Sequence, residues 1–278
     1  MSDNWIVQNL QNALDLWNAR LAEMWSLLTL SPQEFREGRI WAVILTVHGA
    51  MRDIGLSLLV LFFVAGALKT AGSMAELKRP EQALRLFVRF AAAKGMVTWG
   101  MDLLLRGFEI GQGIVGRILA ASGMGAAGQI RLPDELVAAV EQTGFLESIP
   151  LWAVSLLGSL FMTAASFLLI LTVYGRFFRM YLYAAVAPVP LAGLAGEPTQ
   201  RMGISFLRSF CGVLLEGAVL ILAAVIYGAY AASPPVLNAG AAPVAQVWTY
   251  IGELIFNMLI LVYTVRGADR IVREMMLS

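Results

Sequence analysis

The sequence predicts an all-α protein that passes through a membrane several times, and three observations carry that expectation. Of 278 residues, 59% are hydrophobic and 14% charged. With Gly counted and Tyr left out, the apolar share is about 66%, against about 45–50% for an average soluble domain. Residues 151–174, 211–230 and 247–263 each approach the ~20 apolar residues that a helix needs to cross ~30 Å of hydrocarbon. Lys and Arg also gather in alternate connections, as they do in chains sorted by the positive-inside rule.

Residues 1–39 form the first region. Trp5, Leu10, Leu14, Trp17, Leu21, Trp25 and Leu28 recur every three to five residues, the signature of one apolar helical face. The stretch lacks the basic start and small-residue cleavage site of a signal peptide, so it is expected to stay on the mature chain. Such a helix lies in the membrane interface or packs on a partner helix, and the Trp content favours the interface.

Residues 40–120 are expected to hold two spans joined by a basic loop. The first lies within 40–68, where 56–68 is strongly apolar and His48, Arg52 and Asp53 precede it as an interface cluster. The second, 87–105, is interrupted by Arg89, Lys94 and Asp102. Asp102, Arg106, Glu109, Gly113 and Arg117 then follow at helical steps, with Asp102 and Arg106 spaced for an ion pair. Charge facing lipid costs at least about 2.5 kcal/mol per residue near the bilayer centre. The stripe therefore reads as a wetted lumen or an oligomer face, or as a helix that has already left the membrane after Leu105.

Residues 121–150 carry Arg131 against Asp134, Glu135, Glu141 and Glu147, an acidic loop expected outside. Residues 151–278 add three spans, a basic 176–210 segment and a tail with Arg266, Arg270 and Arg273. Five crossings put the N-terminus outside and the C-terminus in the cytoplasm; an even number would bring the N-terminus inside. Within 180–195, Pro188 and Pro190 each remove a backbone donor, which lipid tolerates only where protein or water covers the backbone. A re-entrant or interfacial hairpin fits, with a short sixth crossing as the alternative.

Catalytic chemistry finds little footing. Lys plus Arg total 20 against 19 acids, without the strong basic excess of a free nucleic-acid binder. One Cys, Cys211, and one His exclude an internal disulfide and a Cys/His zinc cluster. Two G-x-G-x-x-G matches, at 111–116 and 123–128, lack the strand-to-helix context of a dinucleotide site and read as close-packing glycines. Glu216, inside the 211–230 span, is an intramembrane carboxylate, open to a proton or cation relay or to pairing with Arg208 two turns away or with another subunit. Glu253 and Asn257 read similarly.

Arg176-Phe177-Phe178-Arg179-Met180-Tyr181-Leu182-Tyr183, Ala187-Pro188-Val189-Pro190-Leu191-Ala192, Ala195-Gly196-Glu197-Pro198-Thr199-Gln200, Ser205-Phe206-Leu207-Arg208-Ser209-Phe210 and Leu215-Glu216-Gly217-Ala218 together resemble the TrbL-like polytopic membrane subunit of conjugative type IV secretion systems. The version carried by integrative conjugative elements of Gram-positive bacteria is the most similar; Pro198 departs from the Gly expected in its turn. The resemblance implies a non-catalytic plasma-membrane subunit without a cofactor, forming the channel or its base. It implies a homo-oligomeric ring, with five-fold symmetry as the expectation, beside secretion ATPases and other membrane subunits. A transiting single-stranded DNA–relaxase complex is a further expected partner. Within the motif, Arg176, Phe177, Phe178, Arg179, Tyr181, Pro188, Pro190, Glu197, Gln200, Arg208 and Glu216 are the candidate docking residues, and the basic flanks equally suit anionic lipid. The competing classes are a small-solute or ion transporter built on Glu216 and a passive membrane scaffold.

Overall fold

A computed structural model describes residues 4–71, 80–122, 130–231 and 240–277. Among them there is no strand; the elements are α1 (Trp5–Thr29), α2 (Arg39–Ala71), α3 (Pro80–Thr98), α4 (Gly100–Ser122), α5 (Asp134–Glu141), α6 (Phe145–Val186), α7 (Pro188–Ala192), α8 (Gln200–Tyr230) and α9 (Pro243–Leu277). Four stretches are long and apolar enough to cross a membrane: Phe35–Lys69, Ser148–Val186, Gln200–Tyr230 and Val244–Met276. The all-α membrane class is thereby established. Of these, the apolar window of Phe35–Lys69 is only 17% buried and that of Gln200–Tyr230 is 44% buried, so protein covers more of α8 and leaves more of α2 bare. Val43, Leu61 and Leu68 on α2 are more than 60% exposed, as side chains facing acyl chains would be.

The span expected at 87–105 is not among the four. Regular helix is interrupted at Trp99, between α3 and α4, although Trp99 N–H still reaches Gly95 O at 2.9 Å and Leu103 N–H reaches Trp99 O at 3.1 Å. Arg89, Lys94 and Asp102 also fall too close together for one apolar window.

The chain divides into two compact units, and α4, α6, α8 and α9 each give residues to both. The first comprises Met1–Thr29, Val115–Tyr174 and Val219–Ala268. Here α1 does not lie bare at an interface: Leu10, Leu14, Trp17, Leu21, Met24 and Leu28 are buried under protein. Trp17 meets Tyr227 edge-on at 6.4 Å, and Trp5 stacks on Trp152 at 5.9 Å. Polar side chains fix the register. Asn9 Nδ2 donates to Ser155 O at 3.2 Å and Ser159 Oγ at 3.0 Å, while Asn18 exchanges two bonds with the Ile130 backbone. The amphipathic stripe is thus spent on the core of this unit, an outcome its periodicity alone does not distinguish from membrane binding.

The second unit comprises Leu30–Ile114, Gly175–Ala218 and Asp269–Ser278. Its entry turn carries Arg36, Glu37 and Gly38 in succession at positive φ (52°, 60° and 73°). The proline-broken segment, α7 and the 3-10 turn Gly193–Ala195, packs against α2 and α3, with Pro188, Leu191, Ala192, Gly193 and Ala195 buried. Protein therefore covers the irregular backbone, as lipid requires. Pro188 has no N–H to give to the carbonyl four residues earlier, Ala184 O, and His48 supplies the missing donor from α2 at 2.6 Å. A carbonyl only accepts, so the His48 proton sits on Nδ1. The expected cluster of His48 with Arg52 and Asp53 does not form as one: His48 is buried, the other two exposed.

Close approach on α2 depends on glycine, since a Cβ at Gly55 would stand 2.8 Å from Pro188 O. Gly55→Ala is expected to destabilise the protein by about 1–3 kcal/mol through overpacking against backbone. Gly49→Ala, where a Cβ meets nothing within 4 Å, is expected to be neutral or stabilising. Thermal unfolding of the purified chain in detergent reads both.

Candidate functional site

The residues of the 176–216 motif divide between a sealed interior and a free surface. In α6, Arg176 is 3% exposed and Phe177 is fully buried, stacked on Phe35 with ring centroids 4.2 Å apart. Tyr181 is buried too and donates its hydroxyl to Pro32 O at 2.8 Å. One α-helical turn separates Arg176 from Arg179, so both guanidinium groups reach the α8 side of α6.

Glu216 of α8 meets them there. It is 1% exposed and forms an ion pair with Arg179, whose own side chain is 33% exposed. Arg176 acts on the same carboxylate electrostatically. It also lies flat against α8 where Gly217 leaves room: a Cβ at 217 would stand 2.5 Å from Arg176 Nη2 and 2.7 Å from Cζ. The expected pairing of Glu216 with Arg208 along the helix does not occur. Arg208 is exposed and forms no ion pair among the described residues. An interhelical partner one contact away outcompetes an intrahelical one two turns off, since the burial cost of the carboxylate is met only at short range.

The remaining motif residues lie at or near the surface. Phe178 is 54% exposed, and Pro190 is half-buried where Pro188 is buried. Glu197 approaches Lys69 at 3.9 Å, both exposed, while Gln200 Oε1 accepts from Arg89 at 3.0 Å. Arg176, Phe177, Tyr181, Pro188 and Glu216 are therefore interior, while Phe178, Arg179, Pro190, Glu197, Gln200 and Arg208 offer at least part of their surface to a partner.

The stripe on α4 stays exposed along Asp102, Arg106, Glu109, Gly113 and Arg117. Its ion pair joins Arg106 to Glu109 at 3.1 Å rather than to Asp102. The opposite side of the helix packs closely. A Cβ at Gly107 would stand 2.9 Å from Phe210 Cε1, and one at Gly111 3.4 Å from Leu214 O, whereas Gly113 and Gly116 face open space. The first glycine motif is thus a packing device at Gly111; the second, 123–128, lies outside the described residues. On α9, Glu253 is exposed and Asn257 half-buried. Among the described residues no three His, Cys, Asp or Glu side chains gather as a metal site would need.

Comparison with known proteins settles the family. Residues 18–188 match the family described as TrbL/VirB6 plasmid conjugal transfer like protein, more than half of the chain. The chain belongs to that family. Neither a curated protein nor a solved structure matches it. Membership makes the chain a membrane component of the conjugal-transfer, type IV secretion kind. The matched region contains α2 to α6 and ends at Pro188, so it includes the α4 stripe and both arginines but not Glu216.

The cluster predicts its own mutational signature. Glu216→Gln leaves the interior Arg176 and the half-buried Arg179 uncompensated and is expected to cost about 3 kcal/mol. Arg208→Gln, at an exposed position, is expected to change stability by no more than about 0.5 kcal/mol. Equal losses in thermal unfolding would return Arg208 to the role of partner.

Proposed function

We propose that the chain is a non-catalytic subunit of the channel, or of the channel base, through which a conjugative type IV secretion machine passes DNA. The observation that carries the reading is the α4 stripe: Asp102, Arg106, Glu109 and Arg117 are exposed on a single copy, in a chain with four helices long and apolar enough to cross a membrane. Charge in lipid costs at least about 2.5 kcal/mol per residue, so a membrane-embedded α4 must turn this face to protein or water. A homo-oligomeric ring supplies both, and its five-fold symmetry is carried over from the family resemblance. Energy for transport comes from partner ATPases. The exposed residues Phe178, Glu197 and Arg208, with the half-buried Gln200, form the cytoplasmic docking surface for those partners or for the single-stranded DNA–relaxase complex.

The topology proposed, N-terminus outside and C-terminus cytoplasmic, requires an odd number of crossings. Four helices are apolar enough by themselves. The fifth crossing is then made by the charged α3–α4 segment inside the ring. The transporter alternative fares worse on geometry: an exchanging carboxylate has to meet its ion, and Glu216 is 1% exposed and paired with Arg179. A passive scaffold differs only in whether DNA passes through the chain.

Deleting the gene in frame is expected to abolish DNA transfer between mating cells, with restoration by a plasmid copy. The triple substitution Asp102→Leu, Arg106→Leu and Glu109→Leu is expected to leave membrane insertion intact and cut transfer at least tenfold. Wild-type transfer by the triple variant would remove the stripe from the pathway. Asn12→Cys in a Cys211→Ser background is expected to react with an impermeant maleimide added to intact cells, while Cys211 in the native chain reacts only after lysis. Both positions are exposed. Failure of Asn12→Cys to react before lysis, with reaction after it, would establish an even number of crossings.

A further inference from the structure

Beside the buried ion cluster lies a cavity of about 100 Å³ lined by residues of α6, α8 and α9, among them Arg179, Tyr183, Arg208, Ser209, Asp269 and Arg273. Three arginines from three different helices, Arg179, Arg208 and Arg273, line it. One carboxylate, Asp269, answers them within the lining, and it is held by Arg273 through Nε at 3.1 Å and Nη2 at 2.9 Å. Arg179 gives Nη2 to Glu216, yet its buried Nε has no hydrogen-bond partner among the described residues. Arg208 forms no ion pair among them. With the adjoining cluster included, Arg176, Arg179, Arg208 and Arg273 face Glu216 and Asp269, leaving two positive charges unanswered. Tyr183 and Ser209 add hydroxyl groups that donate to an oxygen-rich anion.

We propose that this cavity binds a phosphate group, and that an anionic phospholipid headgroup supplies it. Planar guanidinium groups present paired N–H donors whose spacing matches phosphate oxygens, and donors arriving from three directions suit a tetrahedral anion. The site sits where apolar helix gives way to charge: Arg208 precedes the apolar run of α8, and Asp269 and Arg273 follow that of α9. That is the level at which headgroups lie. Exposed Phe178 and Leu182, on the same turns of α6 as Arg179 and Tyr183, offer apolar surface to the acyl chains. A bound headgroup would neutralise the surplus charge and tie the ends of α6, α8 and α9 together. The inference rests on membrane residence and not on the channel reading.

The test uses the purified full chain in a neutral detergent, titrated separately with short-chain phosphatidylglycerol, short-chain phosphatidylcholine and inorganic phosphate, with melting temperature as the readout. Phosphatidylglycerol is expected to raise the melting temperature by several degrees, and phosphatidylcholine and phosphate to leave it unchanged. Arg208→Gln and Arg273→Gln are expected to weaken the apparent affinity at least tenfold. Arg208→Lys should recover part of it, and Arg85→Gln, at an exposed site on α3, should behave as the native chain. An equal response to inorganic phosphate, lost in Arg208→Gln, would support the phosphate site and overturn the lipid as its source. Equal responses to both lipids, or a phosphatidylglycerol response that survives Arg208→Gln and Arg273→Gln, would overturn the site. Since no transfer assay enters, failure here leaves the channel reading untouched.

Discussion

A buried carboxylate paired with one guanidinium group and close to a second fixes how α6 and α8 meet. Glu216 is worth burying only with Arg179 in contact and Arg176 close by, because an unpaired interior charge is strongly destabilising while a paired one roughly breaks even. The pairing therefore acts less as glue than as a register pin. Sliding α6 by one turn against α8 would strand three charges at once. Gly217 belongs to the same device, since any side chain there would push Arg176 off the α8 backbone. Hydrophobic packing, which is non-directional, cannot discriminate between neighbouring registers so sharply.

A second polar constraint governs the proline-broken segment, and it follows the same logic on the backbone. Pro188 deprives Ala184 of its helical donor, and in a membrane no bulk water stands in. His48 from α2 makes the replacement bond, so the break in α6 is tolerable only while α2 stays in place. The near-contact of Gly55 with the Pro188 carbonyl brings α2 close enough for that reach. In both cases a polar group that the apolar environment cannot satisfy is answered by a side chain distant in sequence.

Much of this was legible in the sequence, and the rest was hidden for identifiable reasons. Three apolar runs and the apolar part of α2 stand out because a helix of membrane length averages over its local detail. The stripe of α1 was equally plain, but periodicity reports a face and not its cover, and protein rather than lipid turned out to bury Leu14 and Trp17. Segment 87–105 falls short of the other four in apolarity because Arg89, Lys94 and Asp102 interrupt it, so length and composition alone do not mark it as a span. Glu216 announced that it needed a partner; helical spacing offered Arg208, whereas the actual partner, Arg179, lies 37 residues away in the chain and becomes a neighbour only through folding. The freed carbonyl of Ala184 follows from the proline rule alone, yet nothing local to it points to His48. The family resemblance, read from the motif at 175–218, agrees with a match that lies mostly upstream of it, at 18–188.

Topology and assembly then become one question. Asp102, Arg106, Glu109 and Arg117, placed in lipid, would together cost at least several kcal/mol, since the charge nearest the bilayer centre alone costs about 2.5–3.5 kcal/mol, and the Arg106–Glu109 pair offsets part of it. A penalty of that size rivals the whole stability of a typical domain, about 5–15 kcal/mol. A single copy therefore has reason to keep α4 out of the hydrocarbon, with four crossings and both termini on one side. A ring that covers or wets the stripe removes the penalty and permits the fifth crossing. Orientation of the N-terminus is in that sense a readout of whether neighbouring copies stand against α4: an outside N-terminus and an oligomer would stand or fall together through one row of charges.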